Sequence, residues 1–219
     1  KGGNKSVSLK PIKMQGKIPE VKVVILGDTG VGKSSICLRF VSNKYQPESD
    51  ATIGASFMSK TVSFEAAQKT VKFQIWDTAG QEKYRALAPM YYRDCKIAII
   101  VYDITTRSSF DCLKSWIDEL KDLGPKDIVI GLAGNKCDLV EREVVPDSEA
   151  RNLASEIGAI FYPTSAKDNI GVEKLFMETY KKLDPDMKPK PRETIQLGAS
   201  NLQAAQESKK ERNKKCSCQ

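Results

Sequence analysis

Gly27-Asp28-Thr29-Gly30-Val31-Gly32-Lys33-Ser34 reads G-x-x-x-x-G-K-S, and its flanks decide the fold. Val21-Lys22-Val23-Val24-Ile25-Leu26 ahead of it has the apolar run of a buried strand. Ser35-Ile36-Cys37-Leu38-Arg39-Phe40 behind it reads as a helix continuing to about Asn43. A strand, a glycine-rich turn and a helix in that order build a polyphosphate loop. The glycines let the backbone turn tightly and approach a ligand with no Cβ in the way. The loop N–H groups then cradle α- and β-phosphates, and the helix N-terminus favours the anion. Lys33 reaches the β- and γ-phosphates, and the Ser34 hydroxyl suits Mg²⁺.

Downstream, Lys44–Gly54 is a polar connection, followed by strands over about Ala55–Phe64 and Val71–Trp76, with a turn near Gln68-Lys69. The pair reads as an antiparallel hairpin. Asp77-Thr78-Ala79-Gly80-Gln81-Glu82 follows the second strand. An Asp at the end of such a strand is where a second Mg²⁺ contact belongs. Gly80 frees its N–H for a γ-phosphate, and Gln81 is placed to orient a water.

Ile97–Tyr102 is a continuous apolar run of the kind buried on both faces of a parallel sheet. Ser109–Leu123 is expected as one helix, with Phe110, Leu113, Trp116, Ile117 and Leu120 at helical spacing. Ile128–Ala133 and Ala159–Tyr162 are further strands; Asp147–Ile157, capped by Asp or Ser, and Val172–Leu183 are further helices. The alternation predicts an α/β, doubly wound, mostly parallel six-stranded sheet with one antiparallel edge strand and helices on both faces. Ligands bind such sheets beyond the carboxyl ends of the strands, and every motif named here falls there.

One of those ends carries Asn135-Lys136-Cys137-Asp138. A carboxylate at Asp138 accepts two hydrogen bonds from guanine N1–H and the 2-amino group; adenine offers no such pair and would leave the carboxylate unpaired. The Lys136 stem lies along a base face, and Asn135 ties this loop to the phosphate loop. Ser165-Ala166-Lys167, after another strand, supplies a backbone N–H to guanine O6.

The 219 residues carry a net charge of +7 with 29% charged and 40% hydrophobic residues, the balance of a globular domain with tails. Five Lys against one Glu in residues 1–20, and eight Lys/Arg against four Asp/Glu in 185–219, carry the excess and leave 21–184 at −1. A nucleic-acid partner is disfavoured, because the folded part has no basic excess. The chain has no His, which excludes His-ligated zinc and His general bases. Cys37, Cys95, Cys112 and Cys137 read as reduced core or near-core residues. The longest apolar run is far shorter than the ~20 residues of a membrane-spanning helix.

With these residues in hand, the sequence resembles the Ras superfamily of small GTPases, P-loop NTPases, and within it the Rab family, over about 21–184. Gly27–Ser34, Thr52, Asp77–Glu82, Asn135–Asp138 and Ser165–Lys167 match the superfamily's five nucleotide motifs. Ile53–Phe57, Tyr91-Tyr92-Arg93 and Val101–Thr105 resemble Rab segments, and Arg85–Arg93 looks most like the endosomal Rab five and Rab twenty-two branch. The resemblance implies GTP/GDP and Mg²⁺ as ligands. Asp28, Thr29, Gly30, Val31, Gly32, Lys33, Ser34 and Ser35 would hold the phosphates, and Tyr45 would pack edgewise on the guanine. Ser34, Thr52 and Asp77 would serve the metal, and Lys33, Thr52, Gly80 and Gln81 would act at the γ-phosphate. Thr29 stands where the Ras branch has Gly. Thr52–Phe57 and Asp77–Arg93 would be switches ordered by GTP, and Phe57, Trp76 and Tyr91 an aromatic triad read by effectors. The implied partners are an exchange factor, a GTPase-activating protein, a GDP-dissociation inhibitor, a Rab escort protein with its prenyltransferase, and GTP-dependent effectors. The protein would be a monomer on the cytoplasmic face of endosomal or other endomembranes, with a cytosolic pool. A GTP-clamped scaffold with negligible hydrolysis is the alternative.

Residues 1–20 and 185–219 lack apolar periodicity and are expected to be disordered. The second ends Lys214-Lys215-Cys216-Ser217-Cys218-Gln219. The family reading is double geranylgeranylation of Cys216 and Cys218; the same ending fits C-a-a-X, with one prenyl group on Cys216. Lys209–Lys215 adds attraction to anionic lipid.

Overall fold

The computed structural model describes residues 18–47, 51–80 and 88–187. The expected leader up to residue 17, Gln81 with the rest of 81–87, and the tail from 188 with Cys216 and Cys218 lie outside the described residues.

Six strands, β1 (Glu20–Leu26), β2 (Ala55–Phe64), β3 (Lys69–Thr78), β4 (Ile97–Asp103), β5 (Val129–Asn135) and β6 (Ile160–Thr164), form one sheet in the order β2-β3-β1-β4-β5-β6. Only β2 and β3 pair antiparallel; the other pairings are parallel. The hairpin is paired along its full length, Ala55 opposite Thr78 and Phe64 opposite Lys69, so β3 extends past Val71–Trp76 at both ends. A single 3₁₀ turn, Glu65–Ala67, and Gln68 at φ 50° close it.

The helices are α1 (Lys33–Ser42), α2 (Ala88–Tyr92), α3 (Arg107–Asp111), α4 (Leu113–Leu123), α5 (Asp147–Glu156) and α6 (Val172–Leu183). The period-2 alternation of the strands sorts them into two layers. Val23, Ile25, Ile97, Ile99 and Val101 face a core with Ile36 and Phe40 of α1 and Leu175 and Phe176 of α6. Val24, Leu26, Ala98, Ile100 and Tyr102 face a second core with Leu113, Trp116 and Leu120 of α4 and Ala150 and Ala154 of α5. Phe40 and Phe176 stack with centroids 3.9 Å apart, which seats α1 against α6. β4 is buried at every position, as its unbroken apolar run requires.

Two expectations are corrected. The helix expected over Ser109–Leu123 begins at Arg107 and is interrupted at Cys112, where ψ of −17° tightens the chain without turning it. Ser109 does not cap it; its hydroxyl donates to Thr106 O at 2.7 Å and accepts from Asp103 N–H at 3.0 Å, which binds the helix start to the end of β4. The Asp or Ser cap expected for α5 is absent. Pro146 holds the cap position, and Asp147 lies in the first turn, where the helix dipole favours it, paired with Arg151. Among the described residues no helix is long and apolar enough to cross a membrane.

Candidate functional site

The phosphate loop leaves β1, the strand at the centre of the sheet, and enters α1. Gly32 takes φ 95°, and a Cβ there would lie 2.3 Å from Asn135 Nδ2, so only glycine fits. Asn135, at the end of β5, donates that Nδ2 to Val31 O at 2.8 Å and accepts from Thr164 Oγ1 at 3.2 Å. One side chain thereby joins the ends of β5 and β6 to the phosphate loop. Thr29 is exposed, and its N–H donates to Asp28 Oδ1 at 2.7 Å.

Lys33 is buried, and its ammonium donates to Asp28 O at 2.6 Å. Burial lowers its pKa to about 8 against the opposing attraction of Asp77 and Asp28. A Cβ on Gly80 would fall 2.4 Å from Lys33 Nζ and 2.6 Å from the Asp28 carbonyl oxygen, so the backbone after β3 passes directly over this ammonium.

Beside it, Ser34 Oγ and Thr52 Oγ1 are 2.9 Å apart. Asp77 is buried, and its Oδ1 has no hydrogen-bond partner among the described residues. Burial raises its pKa, opposed by the Ser34 hydroxyl, the Lys33 charge and the Thr52 hydroxyl. Two hydroxyls and an orphaned carboxylate oxygen suit a hard cation. Among the described residues no three His, Cys, Asp or Glu gather, so a cation here takes few protein ligands, the habit of Mg²⁺ at phosphates.

At the other end lies a cavity of ≈ 370 Å³ bounded by Gly32, Ser35 and Tyr45 on one side and by Asn135, Lys136, Asp138, Ala166 and Lys167 on the other. Lys136 has φ 66°, and its ammonium lies 2.7 Å from Asp103 Oδ2. The Asp138 carboxylate is not bare: Oδ1 accepts from Ser165 Oγ at 2.7 Å, and Lys167 Nζ is 3.9 Å from Oδ2. A wrong base would therefore leave it only partly unpaired. Ser165 N–H bonds Ile170 O at 3.0 Å, which leaves Ala166 and Lys167 as the candidate donors to a base.

On the outer face of the hairpin, Phe57 and Trp76 occupy paired positions with ring centroids 5.3 Å apart. Tyr91 of α2 lies 5.8 Å from Trp76, so the expected triad is contiguous. Phe57 is 52% exposed, large for a Phe. At the inner end of the hairpin, Ala79 N–H donates to Gly54 O at 2.8 Å and joins the loops entering β2 and leaving β3.

Residues 22–184 match the Ras family. The chain belongs to that family: it is a small GTPase, binds guanine nucleotide and hydrolyses GTP. Ras-related protein Rab-22A of Homo sapiens is 53% identical over 164 residues, 75% of this chain and 84% of that protein. Ras-related protein Rab-31 of Mus musculus is 50% identical over 191 residues, 86% of this chain and 96% of that protein. Ras-related protein Rab5A of Oryza sativa subsp. japonica is 50% identical over 167 residues, 76% and 81%. Within the family it is a Rab protein, a GTP switch in vesicle-mediated protein transport.

Sequence reasoning missed two contributors. Asp103 repeats the pattern that exposed Asp77, an acid at the end of a buried strand, and was legible by that signal. Arg39 of α1, whose guanidinium reaches Ala166 O and Lys167 O, carries no sequence signal at all, since its partners lie 127 and 128 positions away.

Proposed function

We propose that this Rab protein cycles between GDP and GTP forms on endosomal membranes and recruits effectors in the GTP form. The observation that carries the reading is the separation of the site into two chemically distinct ends bridged by Asn135. Lys33, Ser34, Thr52 and Asp77 gather at one, and Asp138 with the 165–167 loop at the other. The distance between them is bridged by one side chain, which suits a nucleoside polyphosphate. The endosomal assignment rests on the Arg85–Arg93 run.

In this reading Ser34, Thr52 and Asp77 would hold Mg²⁺, which would supply charge neutralisation for the polyphosphate. Lys33 offsets further charge, the Gly80 N–H meets the γ-phosphate, and Gln81 orients the attacking water. Catalysis is positioning and electrostatics, so the rate alone is slow, and an Arg from an activating partner adds roughly 10³–10⁵. Phe57, Trp76 and Tyr91 present the GTP form to effectors. Residues 21–184 form the nucleotide domain, with a basic leader before it and a basic tail after it. Prenylation at Cys216, or at Cys216 and Cys218, anchors the tail; an escort protein, a prenyltransferase and a GDP-dissociation inhibitor handle the lipid, and an exchange factor reloads GTP.

Single-turnover GTP hydrolysis with Mg²⁺, beside Gln81→Leu, tests the cycle. A slow rate, lower still in the variant, is the expected result. Tight GTP binding with no hydrolysis by either protein would replace the cycle with a GTP-clamped scaffold.

A further inference from the structure

Arg39 lies on α1, six positions after Lys33. Its guanidinium makes four hydrogen bonds: Nε to Ala166 O at 2.7 Å, Nη2 to Lys167 O at 2.9 Å, and Nη1 to Asn43 O at 2.8 Å and Asn43 Oδ1 at 3.1 Å. Asn43 also accepts from Asn169 Nδ2 at 3.1 Å, so a second residue of the same loop is tied to the end of α1. Among the described residues no carboxylate pairs with this guanidinium; its planar fork is used mainly on backbone carbonyls, a geometry a lysine cannot reproduce.

The bonds fix more than the loop's distance. The peptide bonds of the described residues are trans, so each N–H points opposite to the C=O of its own amide. Ser165 O accepts from Ile170 N–H at 3.0 Å, which turns the N–H of Ala166 the other way. Ala166 O accepts from Arg39, which turns the N–H of Lys167 the other way. Two successive amides therefore have their carbonyls engaged by protein partners and their N–H groups directed away from those partners, and both residues border the base cavity. Successive N–H groups of this kind form a concave site for an electron-rich oxygen.

We propose that Arg39 is a positioning residue for guanine: by holding the carbonyls of Ala166 and Lys167 it aims the amides of this loop at the 6-oxo group of the base. The proposal rests on the reading above that this loop meets O6.

The test compares release of GDP and of 6-thioguanosine 5′-diphosphate, which keeps the N1–H and the 2-amino group and replaces the 6-oxygen with sulfur, a weak acceptor. Off-rates are measured with excess competing GTP on the full chain and on Arg39→Gln and Arg39→Lys. Wild-type protein should release the analogue faster than GDP. Arg39→Gln should release GDP about ten-fold faster, the loss of one amide hydrogen bond to the 6-oxygen, and change analogue release by less than two-fold. Arg39→Lys, which retains the charge and reaches one carbonyl, should fall between; it carries the test if Arg39→Gln does not fold. Equal acceleration of both nucleotides, or GDP release unchanged, overturns the role of Arg39. Equal release of the two by wild-type protein would show that the loop does not read O6, and the base reading fails first.

Discussion

Lys136 Nζ lies 2.7 Å from Asp103 Oδ2, and Asp103 is nearly buried at the end of β4, opposite Asn135 in the strand register. The carboxylate also accepts from Thr105 N–H at 2.9 Å and Thr105 Oγ1 at 2.8 Å. Burial raises the Asp103 pKa, but the Lys136 and Thr105 contacts outweigh it and hold the group below the usual carboxylate range. The pair anchors the ammonium so that the Lys136 stem lines the base cavity. Asp103→Asn keeps the Thr105 contacts and frees the ammonium. It should speed GDP release about five- to ten-fold, and Lys136→Ala added to it should produce little more. Strict additivity of the two would show that they act separately. Because the folded pKa is depressed, the stabilisation is present above the ordinary Asp range and is lost as pH falls through the lowered value.

Asp77 titrates the other way. Its folded pKa is raised by burial, so without a cation the charged form penalises the fold at neutral pH, and the penalty disappears on acidification. Asp77→Asn should therefore stabilise the nucleotide-free protein in EDTA by about 1 kcal/mol while destabilising the GDP form in millimolar Mg²⁺ by about 1–3 kcal/mol. Thermal melts in the two buffers should move in opposite directions. A parallel shift would argue against a cation at this oxygen.

Lys33, with a pKa near 8, is part-neutral in the empty site at pH 8. A polyphosphate favours its charged form, so binding at that pH should take up about half a proton, and affinity should weaken up to ten-fold per unit above it. The empty protein behaves oppositely: its stability rises between about 8 and the unfolded lysine value near 10.4. Calorimetry in buffers of different ionisation enthalpy reads the proton directly, and Lys33→Met should abolish the uptake.

Gly80→Ala places a methyl against the Asp28 backbone, which cannot yield as a flexible side chain would. The segment after β3 must then lift away from Lys33. Single-turnover hydrolysis should drop at least ten-fold, while GDP release stays within about three-fold, because the base end is untouched. Equal losses in both would mean that the whole loop had collapsed.

The layers were legible because each strand states its own burial. Val23 and Ile25 alternate with Val24 and Leu26 into two cores, and β4 is apolar throughout. Lys33, Ser34 and Asp77 were legible from their spacing within one loop or their place at a strand end, whereas Thr52 came into view only through the family resemblance. The break at Cys112 was not, since it depends on a few degrees of ψ under a helix face whose apolar spacing is unbroken. Arg39 was not, since an arginine on a helix reads as solvated until its carbonyl partners are known.

The bond from Ala79 N–H to Gly54 O has a mechanical consequence. Thr52 and Gly80 sit on two arms that leave the sheet side by side, with Ala55 opposite Thr78 at their common root. That bond ties the two arms together near their root, so a displacement at Thr52 is expected to be felt at Gly80. If effectors read Phe57, Trp76 and Tyr91 on the same hairpin and its neighbour, as proposed, they would receive one yes-or-no statement rather than two independent ones.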